Sequence, residues 1–135
     1  MSKESGLGVV VAVDDAGGSA RTISNDITNL SWSMPSEVQD ITGVNSSGME
    51  RLLLLADFTL TLTGVFNFAA NMSHDVFKAV NLTSVTRTVT LTHSAQILAN
   101  EVLFNDYNLA RSDVGALTWT APGELNSTTV PAWTT

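Results

Sequence analysis

Two histidines, three tryptophans and a few paired carboxylates are the residues of this 135-residue chain whose chemistry could build a site. His74 stands beside Asp75, the residue types of a general base and its orienting carboxylate. Neighbours on a helix point in different directions, however, and a histidine next to a helix start more often bonds locally. Acyl or phosphoryl transfer needs a nucleophile, a base and a stabilising pocket together. The chain has no G-x-S-x-G, H-E-x-x-H, P-loop or G-x-G-x-x-G pattern, and its Gly6-Leu7-Gly8 precedes a strand instead of following one. Asp14-Asp15 and Asn105-Asp106 are oxygen-rich enough for calcium but lack the spaced carboxylates of a binding loop, and they read as turns. Trp32, Trp119 and Trp133 have the ring faces of a sugar platform, yet two of them fall in apolar alternation, which points to core packing. The expectation is no enzyme, no catalytic residue, no metal and no cofactor.

Composition narrows the field further. The net charge is −7, with only six lysines and arginines, and these are scattered. Sequence-independent nucleic-acid binding needs clustered cations, so an acidic chain this sparse in bases is a poor binder of that kind. Cysteine is absent, which rules out disulfides and thiolate metal sites. The longest apolar runs, Val9 to Val13 and Leu52 to Ala56, fall far short of the roughly 18 residues of a membrane span. Lys3 followed by an apolar stretch has the outline of a leader peptide, but Glu4 and Asp14-Asp15 interrupt it, so none is expected.

The elements that must carry any site are strands. "DFTLTLT" puts Phe58, Leu60 and Leu62 on one face and Asp57, Thr59, Thr61 and Thr63 on the other. "VTRTVTLTHS" alternates in the same way, with Arg87 intruding on the apolar face and requiring a strand end or a carboxylate partner. "LGVVVAV", "LSWSM", "EVLFNDYNLA" and "GALTWTA" bring the expected total to six or seven strands. "NMSHDVFKAVNL" breaks the pattern, with Ser73 as an N-cap and Val76, Phe77 and Val80 at helical spacing over residues 73–81. The fold class is mainly β, a single-domain antiparallel sandwich or barrel-like fold with one short α-helix.

Residues 35–56 carry no strand or helix signal, a long excursion for a compact domain. The segment nevertheless holds Val38, Ile41, Val44, Met49 and then Leu52, Leu53, Leu54 and Leu55. These side chains either fold back onto the domain's own core or dock into another subunit.

The order "DITGVNSSGMERLLLLADFTLTLTGVFN", then the histidine and phenylalanine of "SHDVFKAV", resembles the tail tube (major tail) proteins of long non-contractile-tailed bacteriophages. The matching positions are Asp40, Thr42, Gly43, Glu50, Arg51, Leu52, Asp57, Gly64, Phe66, Asn67 and His74, within a stretch from Leu30 to Leu82. The resemblance implies a virion protein, made in the bacterial host cytoplasm, whose copies form hexameric rings stacked into a hollow tube. It implies a loop that reaches an adjacent subunit, an N-terminal arm over residues 1–6 and a C-terminal tail over 124–135 that add contacts. Implied partners are further copies of itself and other tail proteins such as the terminator and tape measure, with DNA passing through unbound and no membrane. Val38, Ile41, Val44, Met49 and Leu52 to Leu55 are then the expected inter-subunit contacts, and Asp57, Thr59, Thr61 and Thr63 the expected lumen lining. Rival readings are a tail terminator, connector or capsid decoration protein, or a monomeric adhesion or carbohydrate-binding module.

Overall fold

The computed structural model describes residues 3–80 and 85–135. In chain order the strands are β1 (Val10–Asp14), β2 (Ala20–Thr22), β3 (Ile27–Ser33), β4 (Ser36–Asp40), β5 (Arg51–Ala56) and β6 (Thr59–Val65). Helix α1 (Ser73–Phe77) follows, and then β7 (Arg87–His93), β8 (Gln96–Phe104), β9 (Asn108–Arg111), β10 (Leu117–Leu125) and β11 (Trp133–Thr134). A 3-10 turn at Ser24–Asp26 joins β2 to β3.

Alternation explains the body of the molecule. In β6, Leu60, Leu62 and Gly64 are buried while the threonines between them face outward. In β7, Val89 and Leu91 are buried between Thr88, Thr90 and Thr92. Every pairing is antiparallel, in the order β2-β1-β7-β8-β10-β6-β3, with β9 beside β10 and β11 beside β8. β10 is the pivot of this sheet. One edge of it pairs with β6 from Thr118 to Glu124, while the other is shared between β9 and the end of β8. The sheet therefore divides into a β2-β1-β7-β8 half and a β9-β10-β6-β3 half, which meet where β8 and β10 pair. Buried residues of both halves, including Val13, Leu62, Val89, Leu98 and Trp119, form one core. The sheet is open: β2 and β3 end it, and the backbone N–H of Ile23 donating to the Val11 carbonyl at 3.0 Å extends the β1–β2 pairing by one bond.

The helix packs under this core. Phe77 meets Phe104 edge-on and lies against Trp119, each at a centroid distance of 5.1 Å. Burying such a side chain contributes about 1.5–3 kcal/mol. Ser73 is not the N-cap that its residue type suggests. Met72 holds that position, and the freed Ser73 N–H donates to the Asp26 carboxylate at 3.1 Å. A distant acid thus satisfies the orphan donor that local sequence leaves open. The helix ends at Phe77, earlier than the expected residue 81, and residues 81–84 lie outside the described residues.

Three further differences have simple causes. "EVLFNDYNLA" is two strands, because Asn105-Asp106-Tyr107 turns the chain between β8 and β9. Val85 lies before β7 and is exposed, so the apolar alternation starts later than it reads. Arg87 does sit at a strand end, but it donates to the Val76 carbonyl and, at 3.3 Å, the Asp14 carbonyl instead of a carboxylate. Its burial pulls its pKa down, partly opposed by the charges of Asp15 and Asp14.

Candidate functional site

The segment without a sequence signal is a β-hairpin. β4 and β5 pair with each other alone, Val38 opposite Leu53 and Asp40 opposite Arg51. The hairpin continues the β3–β6 pair outward: Ser33 pairs with Thr59, the Asp57 N–H donates to the Pro35 carbonyl at 2.8 Å, and Ser36 then pairs with Ala56. Asp57 thus precedes β6, at the root of an arm that leaves the body along the edge of the sheet.

The tip is locally fixed. Asp40 Oδ1 accepts the Thr42 N–H at 2.9 Å and the Thr42 hydroxyl at 2.6 Å. Thr42 Oγ1 in turn accepts the Glu50 N–H at 2.8 Å. These bonds from Thr42 hold the Asp40 carboxyl below the usual carboxylate range. Asp40, Thr42 and Glu50, three of the positions matched in the resemblance, therefore share one closing network.

Along the arm, all eight apolar residues expected at subunit contacts, Val38, Ile41, Val44, Met49 and Leu52 to Leu55, are exposed in a single copy. They do not fold back on their own core. Leucines occupy both faces of the ribbon: Leu53 and Leu55 are 72% and 83% exposed, and Leu52 and Leu54 are 47% and 49% exposed. A two-stranded ribbon is marginal in water even with one covered face. One with leucines wet on both sides needs cover on both.

The second feature is the outer face of the β9-β10-β6-β3 half. Register aligns Asn108, Thr120, Thr63 and Asn29 in one row across the four strands. Pro122, Thr61 and Ser31 form the next row, and Glu124, Thr59 and Ser33 the one after. Thr59, Thr61 and Thr63 lie together at the centre of this surface, while Asp57 stands apart at the arm root. The rows contain hydroxyls, amides and one carboxylate, with no lysine or arginine. Among the described residues, both outermost strands of this half, β9 and β3, present an unpaired edge.

The residues considered for chemistry are used elsewhere. Asp75 pairs with Lys78 at 2.8 Å and accepts the Asn71 N–H, so it does not orient His74. His74 lies between Phe66 and Tyr107, with Nδ1 3.2 Å from the Tyr107 hydroxyl. Burial, followed by the charge of Asp26, pushes the Tyr107 pKa up. Asp15 closes the β1–β2 turn by accepting the Gly17 and Ser19 N–H groups and pairing with Arg21, contacts that keep its carboxyl below the usual range. Trp119 is 1% exposed in the core, while Trp32 and Trp133 lie 6.3 Å apart beside a surface cleft. Among the described residues, no helix is long and apolar enough to cross a membrane.

No family model and no curated protein matches the chain. Solved structures do. The chain is similar to one in the tail of an empty gene transfer agent particle, refined helically with C6 symmetry. That match has a TM-score of 0.81 and 16% identity, covering 98% of this chain and 100% of the other. A chain in the virion of a native gene transfer agent particle matches with a TM-score of 0.78 and 16% identity, over the same shares. The sheath/tube terminator structure of an extracellular contractile injection system, in the extended state, matches with a TM-score of 0.69 and 9% identity, over 100% and 99%. At such identities the likeness establishes a shared fold.

Proposed function

We propose that this chain is a structural subunit of a virion tail tube, whose copies join into rings that stack around a bore through which DNA passes. The observation that carries this reading is the arm. It holds leucines on both faces, leaves the body along a sheet edge, and is left exposed by the described residues of its own chain. The four-stranded half supports the rest. Edge-to-edge pairing of β9 with the β3 of a neighbour would continue the sheet from copy to copy and remove both free edges. Its outer face then becomes the wall of the bore, where short neutral hydroxyls and acid offer phosphates no counter-charge. The fold likeness to gene transfer agent tails, one of them refined with C6 symmetry, agrees with six-membered rings. In this reading the protein is made in the host cytoplasm, acts in the virion, and meets a terminator and a tape measure as its other tail partners.

A second reading is a tail terminator, favoured by the likeness to a sheath/tube terminator structure. Sedimentation of the purified protein separates the two. A tube subunit sediments as species growing with concentration, whereas a terminator stops at one ring. Leu53→Glu with Leu55→Glu should leave a folded monomer in either case. Growth that survives these changes removes the arm from the account.

A further inference from the structure

A cleft of about 770 Å³ opens on the surface of the molecule, and none of the row residues lines it. Its lining combines the apolar Trp32, Trp133 and Val9 with the polar Glu4, His93 and Gln96. Trp32 belongs to β3, Trp133 to the short β11 on β8, and Glu4 to the N-terminal segment, so three distant parts of the chain meet there. Glu4 lies 3.5 Å from His93 Nε2 and accepts the Ser94 hydroxyl. The turn at the rim is strained. Ser94 and Ala95 hold φ of 49° and 65°, values that favour glycine or asparagine. Positive φ at both residues is what this two-residue hairpin turn between β7 and β8 requires.

We infer that this cleft receives the arm of a second copy, Leu53 and Leu55 packing against the contacting rings of Trp32 and Trp133 while Arg51 meets Glu4. The inference rests on the assembly reading above and supplies its receiving surface. The same copy's arm cannot fill the cleft, because β4 and β5 run outward in line with the β3 strand that carries Trp32. Charge selects the face. Alternation along β5 puts Arg51 on the side of Leu53 and Leu55, the two most exposed leucines of the arm. Arg51 is the arm's only cation, and among the described residues no carboxylate lies within ion-pair distance of it. Glu4 places a carboxylate in the cleft lining. Paired tryptophans in a pocket, ringed by polar groups, are the usual anchor of a protein interface. An arm-into-cleft contact is head-to-tail, and such contacts propagate into rings or filaments.

The test uses two variants of the full chain. Leu53→Glu with Leu55→Glu removes the arm but keeps the cleft. Gln96→Trp, at an exposed position, fills the cleft but keeps the arm, and Trp133→Glu on the exposed tail is a second way to block it. Thermal unfolding of each confirms that it folds. Neither should polymerise alone, and mixing them should give a one-to-one complex that does not grow. Tryptophan emission should shift to the blue as Trp32 and Trp133 lose water. Arg51→Glu should raise the concentration needed for assembly about fivefold, and Glu4→Arg added to it should restore assembly. If the parent polymerises and the cleft-blocked copies polymerise equally well, the cleft is not the receiver and the inference is overturned, while the tube reading stands. If the parent does not polymerise, the tube reading itself fails.

Discussion

Asp26 is the residue on which the joint between helix and sheet depends. It is buried, accepts the Ser73 N–H with one oxygen, and accepts Asn67 Nδ2 at 2.9 Å with the other. Asp26→Ala strands both donors and should cost about 1–3 kcal/mol, read as a lower midpoint in urea with an unchanged slope. Gly64 approaches the same place. A Cβ there would lie 2.1 Å from the Asp26 carbonyl oxygen and 2.7 Å from the Trp119 ring. Gly64→Ala should therefore destabilise by about 1–3 kcal/mol or more. At the cleft rim the sign reverses, since Ala95→Gly relieves a left-handed φ and should stabilise by about 1 kcal/mol. These roles were not legible in the sequence, because Asp26 is 41 and 47 residues from its partners. Gly64 and Asn67 could be singled out only by resemblance. Arg87 was legible as an anomaly on an apolar face, though not for its carbonyl partners.

Among the elements, the arm shows why strands can hide. Period-two patterns arise when one face of a strand is buried and the other wet, as in β6 and β7, and those two strands were readable at once. β5 is "RLLLLA", apolar on both faces, so alternation vanishes and the segment reads as a loop. Its exposure in one copy is the physical counterpart of that silence. The tip should respond to acid with a definite sign. Bonding from Thr42 favours ionised Asp40, so its contribution is full above about pH 4, the ordinary range of an unfolded aspartate. That contribution is lost as pH falls through the depressed value in the folded chain. An NMR titration should show the Thr42 amide shifting with a midpoint below 3.8, and Thr42→Val should move the Asp40 midpoint upward.

For the whole molecule, fold class and the outward threonines of β6 were plain in the sequence. The assembly of Thr59, Thr61 and Thr63 with rows from β3, β9 and β10 required the register. Those rows, on a chain of charge −7, support the proposal of a DNA conduit. Thr61→Lys should leave assembly intact and slow DNA passage, measured as reduced ejection from particles built with the variant. Loss of assembly would place Thr61 in a packed contact.

Electron microscopy of the purified full chain, combined with labelling of a Thr61→Cys variant by a thiol-reactive gold cluster too large to enter the bore, tests the central claim most directly. The account predicts hollow tubes of stacked rings, with the thiol labelled in dissociated subunits and protected once tubes form. A monodisperse monomer at high concentration, or tubes decorated with gold along their outer surface, would contradict it.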